Sequence, residues 1–127
     1  MGAAALEAVR AAVRPGADGA ELHGIACAVF ERHGHATDRC AGPDPGDGFF
    51  HSLGHGIGLE AHERPGIGRS GDVLLAGDVI AVEPGLYRHG FGGCRLEDLL
   101  LVTEERCKTL TRFAYGLDGN TDTLAEP

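Results

Sequence analysis

The sequence of 127 residues predicts an α+β fold, in which two N-terminal helices pack on an antiparallel sheet. Two patterns carry this prediction. Apolar residues recur at helical spacing over positions 3–34, and short apolar runs bounded by turn residues follow from position 79 onward. The length allows one compact domain, and 43% hydrophobic with 24% charged residues is ordinary for a globular protein.

The first helix is predicted from Leu6, Val9 and Val13, which follow i, i+3, i+7 spacing in an Ala-rich background. These three side chains would lie on one face of the helix. The segment Arg14-Pro15-Gly16 ends it, because proline cannot continue a helix and glycine accepts the turn that follows. A second helix is expected almost at once.

The second helix begins with a capping signal. Asp18 can cap the first turn, and Glu21 three residues later completes a capping-box-like pair. A single apolar stripe then runs up to Gly34. The stripe consists of Leu22, Ile25, Ala26, Val29 and Phe30. It predicts a helix with one buried side.

Three strands are expected after the loop predicted for residues 35–48, which are rich in Asp, Pro and Gly. The first covers residues 79–82 and runs into Glu83 and the turn Pro84-Gly85. The second is expected as one strand over residues 94–103, and the third over residues 109–113. We assign residues 1–117 to one domain and the polar residues 118–127 to a loose tail.

Composition excludes several classes of partner. Eleven Lys and Arg against nineteen Asp and Glu leave a net charge of −8, so a phosphate backbone is repelled and no nucleic-acid partner is expected. No apolar run approaches the roughly 20 residues of a membrane span. Glu7 and Arg10 interrupt the N-terminus before a secretory segment could form. The four scattered cysteines predict reduced, mostly buried thiols. We therefore expect a cytoplasmic protein without a membrane partner.

The candidate chemistry lies in the segment HSLGHGIGLEAH at residues 51–62 and in the strand carboxylates Glu83 and Glu97. A carboxylate in an apolar strand is costly to bury unless a cation or hydrogen bonds compensate it. If the two strands pair as a hairpin, both carboxylates converge with Arg95 beside them. The imidazole of His55 would complete a carboxylate-rich site for manganese, cobalt, iron or zinc. A buried Glu97–Arg95 ion pair with surface histidines remains the alternative.

Other catalytic templates do not fit the sequence. His51 and His55 stand four residues apart, but Ser52 and the flanking glycines exclude a helical HExxH zinc motif. The chain has neither a P-loop lysine nor a GxSxG elbow. Cys94 occupies an apolar strand position, where a packed thiol is expected. Solvated or capping roles are expected for the remaining histidines, His23, His33, His35 and His89.

Three segments resemble the last three signature blocks of the pita-bread metallopeptidases. They are HSLGHGIGLEAHERPGIG at 51–68, GDVIAVEPGLY at 77–87 and GGCRLEDLLLVTEE at 92–105. Within that family the chain is similar to the Xaa-Pro aminopeptidase and prolidase branch, because His51 precedes the ligand histidine by four and the second block reads VEPGLY. Methionine aminopeptidases share HGIG but usually diverge at those two points. The resemblance covers residues 3–116 and implies part of a pita-bread fold, with the helices packed on a curved sheet.

The resemblance also implies a metal centre. In the complete family site, His55 and Glu83 would bind one divalent ion and Glu97 would bridge two. The ions that such a site takes are manganese, cobalt, iron or zinc, and they activate a bridging water and polarise the scissile carbonyl. The implied activity is metal-dependent hydrolysis of Xaa-Pro peptide bonds. The implied substrate is a peptide with proline in second position.

Four further residues match positions around the cleft of the family. His62 is implied as the catalytic residue that stabilises the tetrahedral intermediate, and His51 as a second catalytic residue lining the substrate cleft. Tyr87 and Arg95 match substrate-binding positions of the Xaa-Pro branch.

The sequence departs from the family in one respect. The family centre uses two aspartates on strands before the helix that begins here near Ala3, and no Asp of this chain occupies that place. Glu83 and Glu97 together balance one divalent ion, so a second ion would be poorly held. We therefore expect the isolated chain to bind at most one ion weakly and to hydrolyse little or nothing.

Three explanations of this departure remain open. The 127 residues are a fragment of a longer gene product, or another chain supplies the other half, or the protein is a decayed homologue; we favour the first, because all three blocks are chemically intact. An exposed sheet edge and apolar surface would invite a homo-oligomer or a complementing chain. The alternative function is a non-catalytic pseudoenzyme or binding module that retains the fold.

Overall fold

The computed structural model describes residues 1–39 and 47–112, which form an α+β arrangement as predicted. The two helices are α1 (Gly2–Ala12) and α2 (Gly19–Arg32). The strands of this part of the chain are β1 (Gly54–Gly56), β2 (Glu63–Ile67), β3 (Val79–Val82), β4 (Gly85–Arg88), β5 (Gly92–Arg95), β6 (Asp98–Val102) and β7 (Cys107–Thr109).

Both helices form where the local signals place them. Helix α1 ends at Ala12, and the following Val13 is already extended, so the breaker after it acts as expected. Asp18 caps α2 by accepting a hydrogen bond of 2.7 Å from the backbone N–H of Ala20. The predicted stripe of α2 is buried apart from the half-buried Ile25. The positions of both helices can therefore be predicted from the local sequence alone.

The sheet is antiparallel and has the strand order β2-β1-β3-β6-β7. Strands β4 and β5 form a separate two-stranded ribbon. The pairing of Val82 with Asp98 and of Gly85 with Arg95 follows one register, so the ribbon continues the β3–β6 hairpin. Strands β3 to β6 are therefore one long hairpin with an interruption.

The expectation of a single strand over residues 94–103 is wrong. The strand is divided at Leu96 and Glu97, and its two parts belong to different sheets. The partner at this level is Pro84, which accepts a hydrogen bond of 3.2 Å from the N–H of Leu96 but has no N–H to donate in return. The absence of this N–H interrupts the hydrogen bonding between the two strands of the hairpin.

The expectation for the third strand is wrong in position. Strand β7 begins at Cys107, because Thr103 and Arg106 close a tight turn through a hydrogen bond of 2.7 Å between the Thr103 N–H and the Arg106 carbonyl. Its pairing with β6 ends at Thr109. Residue 113 and the predicted tail 118–127 lie outside the described residues.

Alternation along the strands separates two faces of the sheet. Ile80 and Val82 of β3, with Leu100 and Val102 of β6, are fully buried and belong to the same apolar cluster as the helices. The opposite face carries the odd-numbered residues of β3 and β6, including Ala81. Since directly paired residues share a face, His55 opposite Ala81 also lies on this second face. The fold thus directs the candidate chemistry away from the core.

The helices were also compared with the requirements of a membrane span. Neither described helix has the length and hydropathy needed to cross a membrane.

The described thiols differ in exposure. Cys27 is buried, as expected for the thiols. The expectation of a packed Cys94 is wrong, because β5 is exposed along its whole length. Cys107 is half-buried, and Cys40 lies outside the described residues.

The core assignment predicts a difference between two leucines. We expect Leu100→Ala to lower the free energy of unfolding by about 2–5 kcal/mol, because a fully buried side chain leaves a cavity. The matched change Leu59→Ala removes a fully exposed side chain and should alter stability by less than about 0.5 kcal/mol. Urea unfolding measures both values, and equal effects would contradict the core described here.

Candidate metal centre

His55 is placed by two glycines in the middle of β1. A Cβ on Gly54 would lie 1.9 Å from the carbonyl oxygen of Ala81, and a Cβ on Gly56 would lie 2.2 Å from that of Arg64. Atoms cannot approach so closely, so any other residue would force the neighbouring strands apart. The glycines that flank the histidine are required because strands pack against β1 on both sides.

The His55 imidazole is fixed in one tautomer. Its Nδ1 lies 3.0 Å from the carbonyl oxygen of Gly56, and since a carbonyl can only accept, Nδ1 carries the proton. The lone pair is then on Nε2, which faces Oε1 of Glu83 at 3.6 Å. That separation is too long for a hydrogen bond and close to the about 3.4 Å between two ligands of one tetrahedral ion. A metal-ligating histidine usually anchors its other nitrogen in this way.

Glu83 is held at the end of β3 between two nitrogen groups. Its N–H donates a hydrogen bond of 2.7 Å to the carbonyl of Leu53, which continues the pairing with β1 by one residue. Its Oε2 lies 3.4 Å from Nη1 of Arg95, and only 14% of its side chain is exposed. The alternative of a buried Glu97–Arg95 ion pair is therefore wrong, since Arg95 pairs with Glu83 and Glu97 is exposed.

Glu97 lies beside this pair without joining it. One residue beyond the pairing of Val82 with Asp98, the same register sets Glu97 opposite Glu83. Cross-strand neighbours share a face with Cβ atoms about 5 Å apart, which is within reach of two glutamate side chains. Across residues 1–39 and 47–112, the carboxylate of Glu97 makes no ion pair or hydrogen bond. The structure thus brings His55 and Glu83 together and leaves Glu97 at the rim.

His62 lies over His55. The two rings are 4.1 Å apart between centroids and tilted by 42°. The ladder between β1 and β2 is irregular between His55 and Gly56, and Gly56 pairs with Glu63. Strand β2 begins at Glu63, so the chain rejoins the sheet directly after His62. The His62 side chain remains exposed and free to meet a ligand bound at this face.

His51 and Tyr87 form a second fixed pair. Nδ1 of His51 lies 2.8 Å from the carbonyl of Ser52 and so carries the proton, which leaves Nε2 to accept from the Tyr87 hydroxyl at 3.1 Å. A Cβ on Gly85 would lie 2.7 Å from the Tyr87 hydroxyl oxygen, and one on Gly93 2.3 Å from its ring. These glycines let the tyrosine ring lie on the backbone of the ribbon.

The expectation of a solvated or capping role is wrong for His23. It is 2% exposed, and its Nε2 lies 2.9 Å from Oδ1 of Asp38. His23 and Cys27 are one helical turn apart beside the apolar stripe of α2, and this spacing could have indicated burial. The capping role is confirmed for His33, whose Nδ1 donates to the carbonyl of Val29 at 2.8 Å.

Comparison with known families gives one family for almost the whole described chain. Residues 2–104 match the model of metallopeptidase family M24. The chain is 43% identical over 111 residues to an Xaa-Pro dipeptidase of Pyrococcus furiosus. The aligned region covers 84% of this chain and 29% of the relative.

Two solved structures have a similar arrangement of helices and strands. The X-Pro aminopeptidase of Thermotoga maritima superposes with a TM-score of 0.78 at 32% identity, covering 91% of this chain and 30% of the other. The prolidase of Pyrococcus furiosus superposes with a TM-score of 0.77 at 38% identity, covering 89% and 31%. The chain therefore spans about 30% of the length of each of these proteins.

The packing around β1 predicts opposite effects for two glycine substitutions. We expect Gly54→Ala to destabilise the protein by about 1–3 kcal/mol or more, because the new Cβ meets the Ala81 carbonyl. The control Gly24→Ala lies inside α2, where the nearest outside atom is 3.6 Å away on the Arg39 side chain, and should stabilise by about 0.5–1 kcal/mol. Urea unfolding measures the stability of both variants. A Gly54→Ala protein as stable as the parent would contradict the packing of β1.

Proposed function

Because the chain belongs to metallopeptidase family M24, we propose that it carries the imidazole and glutamate ligands of an Xaa-Pro peptidase active site. Its two helices and antiparallel sheet form part of the pita-bread fold of the prolidase structures. The observation that carries the proposal is the pair His55 and Glu83. Their ligand atoms face each other at 3.6 Å, and the other imidazole nitrogen is tied to a carbonyl.

The donor set fits a divalent ion. His55 Nε2 and Glu83 Oε1 would hold it, and Glu97, between β5 and β6, would be a further ligand in a complete centre. Nitrogen and carboxylate donors favour manganese, cobalt, iron or zinc over ions that prefer thiolate. When bound, such an ion acts as a Lewis acid that lowers the pKa of water and polarises a carbonyl.

The remaining residues would bind and orient the substrate. His62, exposed above His55, would donate a hydrogen bond to the carbonyl oxygen of the scissile bond as negative charge develops there. The Tyr87 hydroxyl holds His51, which would line the substrate cleft as a second catalytic residue, and Tyr87 itself would contact the substrate. Arg95 has a half-exposed guanidinium that would pair with a carboxylate of the substrate. The names of the relatives support a peptide with proline in second position as the substrate.

Charge balance limits what the 127 residues do alone. Glu83 and Glu97 supply two negative charges at this face, and Arg95 offsets part of them at 3.4 Å from Glu83. We therefore propose that the isolated chain binds at most one ion at this centre and hydrolyses little or nothing. Further carboxylates, from a longer chain, a second copy or a complementing chain, would be needed for two ions.

Manganese binding tests the ligand assignment. We expect calorimetric titration of the chain to show one weakly bound Mn²⁺. Glu83→Gln should weaken that binding at least about tenfold, because mutation of even a residue that only supports a ligand lowers metal affinity by about 10–100-fold. The matched control is Glu105→Gln, at an exposed residue in the turn between β6 and β7. Absence of binding by the parent would instead support the non-catalytic module, and equal binding by both variants would contradict the assigned ligand.

A chimera tests whether these residues support catalysis. In it, the chain replaces the matching segment of the Pyrococcus furiosus Xaa-Pro dipeptidase, which aligns over 111 residues. We expect manganese-dependent hydrolysis of an Xaa-Pro dipeptide, and His62→Ala should lower kcat by about 10²–10³-fold through loss of a hydrogen-bond donor. His89→Ala, an exposed histidine of the ribbon turn, serves as the control. A chimera that has the circular dichroism spectrum of the parent enzyme, and is therefore folded, but shows no turnover would refute the hypothesis that these residues support catalysis.

A further inference from the structure

A second group of ligand-type side chains lies in the core, between α2 and residues 37–39. His23 and Cys27 face the same side of α2, and Asp38 reaches them from the following segment. The His23 Nε2 is 2.9 Å from Asp38 Oδ1 and 3.5 Å from Cys27 Sγ, and Sγ is 3.7 Å from the same Oδ1. One nitrogen, one sulfur and one oxygen therefore form a compact triangle.

The triangle has the dimensions of one face of a zinc tetrahedron. Usual zinc bond lengths to nitrogen, sulfur and oxygen give ligand separations of about 3.4–3.6 Å. The three distances differ from these values by about half an ångström or less. A thiolate and a carboxylate also carry two negative charges, which would neutralise a divalent ion in a buried place.

We propose that His23, Cys27 and Asp38 form a second metal site, which takes zinc or a chemically similar divalent transition ion. The site does not depend on the proposed peptidase function. It shares no residue with the His55 centre, and the ring of Phe49 contacts the rings of both His23 and His51. The thiol distinguishes its metal preference from that of the carboxylate-rich centre.

The Cys27 side chain is a thiol until an ion displaces its proton. Burial raises the pKa of the Cys27 thiol to about 11, and the negative charge of Asp38 acts in the same direction. The negative charge of Asp38, beside the sulfur, would attract a positive ion. On binding, the Sγ–H bond breaks, a sulfur–metal bond forms and the proton leaves to solvent. Arg69, 4.0 Å from the second Asp38 oxygen, is largely exposed and leaves Oδ1 to the ion.

The arrangement does not suit a catalytic triad. In such a triad the carboxylate and the nucleophile contact different nitrogens of the imidazole, whereas here Asp38 and Cys27 both approach Nε2 of His23. The other nitrogen, Nδ1, is buried without a hydrogen-bond partner among the described residues. Cys27 is fully buried and no substrate could reach its sulfur.

Cobalt titration of the full chain tests the site, because Co²⁺ replaces zinc and reports its own ligands by absorbance. We expect one equivalent of Co²⁺ to produce a thiolate-to-cobalt charge-transfer band and the intense visible bands of a tetrahedral ion, and zinc to displace both. Cys27→Ser should abolish the charge-transfer band and weaken binding at least tenfold. Cys94→Ser, at an exposed thiol, and His55→Ala, at the peptidase centre, should leave the band unchanged.

The outcomes separate the site from its competitors. A parent spectrum without a thiolate band overturns the proposal, whether or not the variants fold. A band that survives in Cys27→Ser, or disappears in Cys94→Ser or His55→Ala, places the ion elsewhere and also overturns it. Weak manganese binding at the His55 centre tests the peptidase proposal separately, since manganese favours oxygen and nitrogen donors over thiolate.

Discussion

The register of β1, β3 and β6 is the constraint on which the candidate centre depends. His55 pairs with Ala81, and Glu83 lies two residues further along the same strand. Because side chains alternate with a period of two, both residues and Glu97 share one face of the sheet. A slip of one residue would turn them into the apolar cluster of the helices. The glycines beside His55 permit this register, because a Cβ at either position would meet the backbone of a neighbouring strand.

The charges at the centre are only partly compensated within the described chain. Glu83 lies between an imidazole and a guanidinium, whereas Glu97 is solvated at the rim. A half-exposed arginine contributes little net stability to such a pair, since solvent screens it. The residues are therefore positioned for a ligand without being locked by their own contacts.

The two clusters of ligand-type residues differ in chemistry and in surroundings. The first combines nitrogen and carboxylate donors on an accessible sheet face, with the ring of His62 nearby. The second adds a thiol and is enclosed between a helix and the segment that follows it. An open position suits an ion that meets a substrate, whereas a closed position suits an ion that ties two segments together. One small domain would then use metal ions in two different ways.

The sequence by itself determined the features that local physics controls. Helical periodicity and the Asp18 cap located both helices, and the order of the three blocks identified the family and the candidate ligands. Only the tertiary structure decided which charges meet, because an ion pair depends on register across strands rather than on neighbours in sequence. Arg95 thus pairs with Glu83 and not with Glu97, which is only two residues away in the sequence. The burial of His23 was decided in the same way, since a carboxylate fifteen residues away compensates it only once the chain has folded.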